Sequence, residues 1–403
     1  MVSRLLLPLL TSTLKFTSPR AWGVAILIWM AAIAPARSES IDLRVAVQKN
    51  VAQVNVGASV NAQVLDGSRR PLGEIQGMNG FVAQAKDGGV ALDRWQAGAI
   101  WIEPKDKNGV VWIGNNWYRG RVYLVPTQGG LTAVNYVDLE HYLFSVLGSE
   151  MSPSFPIEAL KAQAVAARSY ALHERQGARN GIFDLGATQG WQVYQGVSKE
   201  ATTTQQAVLA TSGQVLTHNG RIINAVFHAS AGGCTENVED VWVQALPYLR
   251  TVRNSFDGST NNRLGNASYQ WTETVAASAF NRFGVGNIQR IEPAELTPVC
   301  GRFKKARIVG DRGSKVIDGD DLRTALGLKS TLFTIAPQFP QTASKSNNTK
   351  VLPSGFVVTG KGFGHGLGMS QWGAYSMANQ GFNYQQILGQ YYLNTTLAKI
   401  DVQ

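Results

Sequence analysis

Few residues in this sequence are placed to do chemistry, and Glu150 stands first among them. It lies between an apolar run, Tyr142 to Leu147, that reads as a strand, and a helix predicted from Ile157 to about Arg175. Pro156 and Glu158 mark that helix's start, by their fit to the first helical turn. A carboxylate in a loop between two rigid elements suits a catalytic acid, and Phe144, Leu147, Met151 and Phe155 are the apolar neighbours that would raise its pKa. On spacing alone, the plainer alternative is a surface carboxylate near a helix start. His228 with Ser230, and His365 with Gln371, are polar groups among small residues. Each pair either bonds backbone inside a turn or lines a ligand cleft.

Other chemistries find little support. The stretch from Gly360 to Ala374 has glycine at almost every second position, which is not the G-x-G-x-x-G spacing of a dinucleotide site. Its use is close approach, because backbone without Cβ can pass near a ligand or another strand. The five histidines show no H-E-x-x-H spacing, so a zinc hydrolase is not expected. No nucleophile elbow supports a triad built from Ser230, His365 and Asp184.

The elements that must position these groups come next. At 403 residues and 44% hydrophobic content, the chain suits one large or two medium domains. Residues 1–36 read as an export signal or an uncleaved N-terminal anchor: Arg4, Lys15 and Arg20 precede the apolar run Ala21 to Ala34, and Ala34-Pro35-Ala36 offers a cleavage site. No later stretch is long enough to span a bilayer. The net charge of +10 stays positive once residues 1–36 are removed. In an exported protein, that favours an anionic wall polymer over nucleic acid, or serves solubility alone. Cys234 and Cys300 either pair or remain thiols; the sequence leaves this open.

Residues 37–104 form a β-rich region of short alternating strands, and strand signals continue to Val137. Ile157, Leu160, Ala164, Ala167 and Ala171 mark one small-residue face of the helix. Lys161 and Arg168 share another, either a solvated basic stripe or a substrate contact. Gln214 to His218 and Arg221 to His228 read as a hairpin turning at Asn219-Gly220. An αβ insertion occupies about 254–335, with helices at Val275 to Phe283 and Asp320 to Leu326; a loop follows over 336–354. Helices are expected from about Ser370 to Asn379 and over Tyr384 to Tyr392. The fold class is α+β, a mixed β-rich core with packed helices.

Leu139-Glu140, Tyr142-Leu143, Ser149-Glu150-Met151 and the run from Pro156 to Tyr170 closely resemble the SpoIID/LytB family. So do His365 to Ala374, Ile387-Leu388 and Tyr391-Tyr392, with Tyr118-Arg119-Gly120, Gln192-Val193-Tyr194 and the stretch from His228 to Glu236. The likeness covers roughly 105–400 and marks 105–403 as the family domain. It implies two lobes around a substrate cleft, and a peptidoglycan-active protein in the periplasm or cell wall. It also implies lytic transglycosylation of glycan strands stripped of stem peptides, at the MurNAc-GlcNAc bond, with Glu150 as general acid and then base. One carboxyl suffices there, because the nucleophile is the muramic 6-hydroxyl. The alternative is a non-catalytic enhancer of a cell-wall amidase. Lys161, Arg168, Gln192, Tyr194, His228, Ser230, His365 and Gln371 become the expected substrate contacts. Some relatives bind zinc through cysteines where this chain has Leu185 and Trp191, so no metal or other cofactor is expected.

Overall fold

A computed structural model describes residues 41–178, 181–258, 266–340 and 351–400. The predicted export segment lies outside these residues, as do 341–350 of the predicted loop. Alternation of apolar and polar residues builds two facing sheets. The first has seven strands in the order Leu185–Gly186, Asp42–Val51, Gly130–Asp138, Arg121–Thr127, Ile100–Pro104, Ala62–Asp66 and Pro71–Ile75. The second has six and includes Gln53–Ala58 beside Val110–Ile113. Leu43, Val45, Val122 and Leu124 from one sheet share a core with Val56, Val90, Leu92 and Ile113 from the other. Strands from either side of residue 105 are therefore interleaved.

Three helices complete this core: α1 (Leu139–Glu150), α2 (Ile157–Gly177) and α3 (Thr202–Ala210). The expected strand Tyr142–Leu147 is instead the middle of α1. All six of its residues are buried, and a run buried on every side carries no period to tell helix from strand. The missed signal is Asp138, whose carboxylate accepts the N–H groups of Glu140 and His141, both at 3.0 Å, as a helix N-cap. The alanines of α2 are buried as the small-residue face predicts. They let α1 and α3 pack close, together with α6 (Gln371–Asn379) and α7 (Tyr384–Tyr391) nearer the C-terminus.

The hairpin turns where expected, with Asn219 at φ 50° and Gly220 at φ 73°. Its second strand, however, ends at Ile222. After a break, Phe227–His228 pairs in parallel with Met369–Ser370. The insertion, with the strand Gly355–Lys361 that pairs between two of its strands, holds a separate hydrophobic cluster around Phe280, Ile308, Phe333 and Phe356. It contains the short helix α5 (Gly319–Leu326) and follows α4, a single turn at Val238–Val241. The helix expected over Val275 to Phe283 is a strand to Ala276 and then a 3₁₀ turn. Cys234 and Cys300 are disulfide-bonded, which ties the segment after His228 to the insertion.

Candidate functional site

Glu150 is the last residue of α1 rather than part of a free loop. Its Oε1 accepts the backbone N–H of Val193 at 2.7 Å, and the Gln371 side chain also bonds the carboxylate. Burial pushes the Glu150 pKa above its ordinary value, against the smaller lowering effect of those two donors. The negative end of α1 adds to the rise. The result is a carboxylic acid that holds its proton to higher pH than a free glutamate, with two donors ready for its anion.

Each donor is fixed by neighbours. Val193 follows Gln192, which is 1% exposed, and whose amide accepts from the Tyr142 hydroxyl and donates to the Ala167 carbonyl. Gln371 opens α6, whose N-cap Ser370 accepts the Gly373 N–H at 3.2 Å. Ser370 in turn donates to Asp257 at 3.3 Å. Asp257 also takes the Ser230 hydroxyl and the N–H groups of Gly232 and Gly233, so one buried carboxylate binds the two glycine-rich segments together. Asp257 was not legible in the sequence, since an acid in a loop has no period. After Glu150, the Phe155 ring packs on Trp372 and Tyr375 of α6, with centroids 5.1 and 4.8 Å away.

The glycines bring strand against strand. Gly368 has φ +64°, and a Cβ there would stand 2.1 Å from the Val226 carbonyl oxygen. Gly366 has φ +79° and lies against the Arg302 guanidinium. Gly368→Ala therefore meets both left-handed backbone and a carbonyl that cannot move aside, and a loss of more than about 2 kcal/mol in unfolding free energy is expected. Denaturant melts check it: a loss under about 0.5 kcal/mol, the range of ordinary surface changes, contradicts this account of the repeat.

A cavity of about 140 Å³ is lined by Tyr170, Gln189, Trp191, Gln192, Phe227, Trp242 and His365 among others. Tyr170 is pushed up by burial first, then by the charges of Glu174 and Glu150. Aromatic faces with amide and imidazole edges suit sugar rings. His365 accepts the Leu367 N–H at Nδ1 (3.0 Å), so its proton is on Nε2, which donates to the Phe227 carbonyl at 3.0 Å. His228 donates from Nδ1 to the Leu367 carbonyl at 2.9 Å. Burial lowers His228 well below its usual pKa and His365 to about 4, so both rings are neutral at pH 7.

Several expected substrate contacts turn inward. Arg168 is fully buried, with Nε and Nη2 on the Glu140 carboxylate at 2.8 and 2.6 Å and Nη1 on the Gln214 carbonyl at 3.0 Å. The expected basic stripe is therefore absent, because Lys161 pairs separately with Glu158 at 2.7 Å. Tyr194 is buried and donates to Asn135 at 2.8 Å, while Ser230 is fully buried on Asp257. Arg168, Tyr194 and Ser230 are thus held within the scaffold, while Gln192, though buried and bonded to Tyr142 and Ala167, also lines the cavity. Gln371 and His365 keep their places at Glu150 and at the cavity wall. Trp242, not singled out from sequence, joins them as an exposed aromatic residue beside the cavity. Leu185 is buried in the first sheet and Trp191 lines the cavity. Among the described residues, no three His, Cys, Asp or Glu side chains cluster as a metal site.

Residues 127–218 match a family described as Stage II sporulation protein, and residues 259–368 match a domain of unknown function. An uncharacterized protein of Brachyspira hyodysenteriae is 34% identical over 68% of this chain and 70% of its own length. Stage II sporulation protein D of Bacillus subtilis is 32% identical, over 67% of this chain and 77% of that protein. The amidase enhancer of Bacillus subtilis is 30% identical over 63% of this chain, which spans 40% of that longer protein. The chain belongs to the stage II sporulation protein D family, a peptidoglycan-related group. No helix among the described residues is long and apolar enough to cross a membrane.

Proposed function

We propose that the protein is an exported lytic transglycosylase that cleaves the MurNAc-GlcNAc bond of peptide-stripped glycan strands in the periplasm or wall, with Glu150 as its general acid and base. Glu150 carries the reading: a half-buried acid of raised pKa held by two donors. The proton leaves its carboxyl for the glycosidic oxygen as the C1–O bond breaks with oxocarbenium-like charge at C1. Val193 N–H and the Gln371 amide steady the new carboxylate. The carboxylate then takes the proton of the muramic 6-hydroxyl as that oxygen bonds C1, closing a 1,6-anhydro ring and restoring the acid. No water and no second carboxylate enter the cycle.

This mechanism sets a pH limb. The acid must be protonated in the free enzyme, and its pKa is raised, so kcat/KM holds at low pH and falls as pH rises through the Glu150 pKa, above the ordinary value of 4.5. A pH series on purified strands checks this. A kcat/KM that instead increases from pH 5 to 7 contradicts a Glu150 that begins as an acid. One finding favours a second reading, a wall-binding enhancer of an amidase without turnover: a relative carries the name amidase enhancer.

A further inference from the structure

The first strand, Asp42–Val51, precedes residues 127–218, which carry the family match, yet it anchors the segment that reaches the acid. Arg44 grips the start of that segment: Nη1 donates to the Gly181 carbonyl at 2.6 Å, and Nε and Nη2 to Asp184 Oδ1 at 3.0 and 2.6 Å. Asp184 Oδ2 takes the Arg44 backbone N–H at 2.8 Å, and Leu185–Gly186 then pairs in parallel with Val45 and Ala46. A turn closed by the Trp191 N–H on the Thr188 carbonyl, at 2.8 Å, returns the chain toward Gly186. The indole of Trp191 lies against that glycine, where a Cβ would stand 2.6 Å from the ring. Any other residue at 186 displaces the ring.

Lys49 meets the same indole from the same strand. Its Nζ is 5.0 Å from the centroid of the Trp191 ring and 5.0 Å from that of Phe183, so one ammonium serves both rings. A cation at this distance is drawn to the negative face of the ring, and indole is the strongest such partner. Ala46, on the Lys49 strand, pairs with Gly186, so a single strand register places both the cation and the glycine that meet the indole.

Trp191 lines the cavity of about 140 Å³ together with Tyr170, Gln192, Trp242 and His365. Gln192 follows it on the wall, and the next residue, Val193, donates to Glu150 at 2.7 Å. Gln192 and Tyr194 are fixed by hydrogen bonds to Tyr142 and Asn135. The half-buried ring of Trp191 is held instead by the Gly186 contact and by the cation. We propose that Lys49 is a positioning residue for glycan binding, which fixes the Trp191 ring as a wall of this cavity. The assignment rests on the glycan reading of the Glu150 site and extends that site to a strand outside residues 127–218. A wall already fixed loses less freedom when a sugar settles against it, so removing the cation weakens binding without touching the acid. Lys49 is exposed, and a direct contact between its charge and the lactyl carboxylates of stripped strands is the rival the test must separate.

A double-mutant cycle on the full chain carrying Glu150→Gln does so, with calorimetric titration of peptide-stripped glycan strands and no turnover. Lys49→Met keeps the apolar stem, removes the cation and weakens binding about 3–10-fold. Lys49→Arg, whose guanidinium also sits over aromatic rings, stays within about twofold of the starting protein. Trp191→Ala weakens binding ~10-fold or more. Lys49→Met added to it weakens binding less than about twofold further, because the cation then has no indole to hold. In the chain that keeps Glu150, Lys49→Met raises KM by about 3–10-fold and leaves kcat within about twofold, as a loss of uniform binding does.

Unchanged affinity in Lys49→Met overturns the proposal, as does a Lys49→Arg protein as weak as Lys49→Met. An equal loss with and without the Trp191 ring overturns it too, and assigns the ammonium to the strands themselves. The coupled loss, in a chain whose unmodified form yields no anhydro ends, removes the catalytic reading and leaves the positioning standing. A starting protein that binds no strands removes the glycan reading and the positioning with it. Where Trp191→Ala does not fold, tetra-N-acetylchitotetraose serves as a probe without carboxylates: Lys49→Met weakens its binding by the same about 3–10-fold, and unchanged affinity for it overturns the proposal.

Discussion

Glu150→Gln lowers the rate of glycan cleavage by at least ~10²–10⁴-fold while the fold stays intact. Glutamine keeps the shape and an oxygen to accept the Val193 N–H, but it has no proton to give the leaving sugar. The change also removes an ionisable group from a site where burial disfavours its charge, so no loss of thermal stability is expected. Mass spectrometry of released muropeptides, beside circular dichroism melts of both proteins, reads the two effects. Release at the parent rate removes Glu150 from the mechanism, and a collapsed melt shows that the carboxylate is structural.

Arg168→Met lowers unfolding free energy by about 3–5 kcal/mol, the cost of leaving one partner of a buried ion pair alone. Glu140 is 8% exposed and gives both carboxylate oxygens to Arg168. Without the guanidinium, that charge is stranded between α1, α2 and the carbonyls near Gln214. Adding Glu140→Gln recovers part of the loss, because the double change leaves no unpaired charge. Denaturant titration of the single and double variants measures it. An Arg168→Met protein that melts like the parent but binds glycan more weakly contradicts the buried pair and returns Arg168 to the substrate.

The parts of this fold that are legible in the sequence are those with a local cause. Alternation along Asp42–Val51 and its neighbours gives strands, Asn219-Gly220 gives a turn, and the alanines of α2 give a close-packing face. The glycine repeat announces close backbone approach, although it cannot say that the neighbour is the segment from Val226 to Gly232. What escapes is decided by partners distant in sequence. The run at Tyr142 reads as a strand until Asp138 is seen to cap it. Arg168 looks like a solvated cation until Glu140 is found opposite it, a helix away. Asp257 and Trp242 gain meaning only from what the chain folds against them.

For Glu150 itself, the sequence supplies the residue and its apolar flanks, and the structure supplies the donors. Val193 and Gln371 lie far from it along the chain, in the stretches singled out as Gln192-Val193-Tyr194 and His365 to Ala374. Those two stretches meet the end of α1 through buried groups, Gln192 on one side and Asp257 with Ser370 on the other. Residues expected to touch sugar thus set the position of those that face the acid.

The most direct measurement is the chemical form of the cut ends. Purified protein is incubated with amidase-treated peptidoglycan glycan strands, and the products are separated and weighed. Transfer of the glycosidic carbon to the muramic 6-hydroxyl leaves 1,6-anhydromuramic ends, 18 Da lighter than a hydrolysed reducing end, and these are the predicted products. Reducing ends alone mean that water is the nucleophile, and an absence of cleavage under conditions that support glycan binding means that the protein has no turnover; either result contradicts a Glu150 that acts first as acid and then as base.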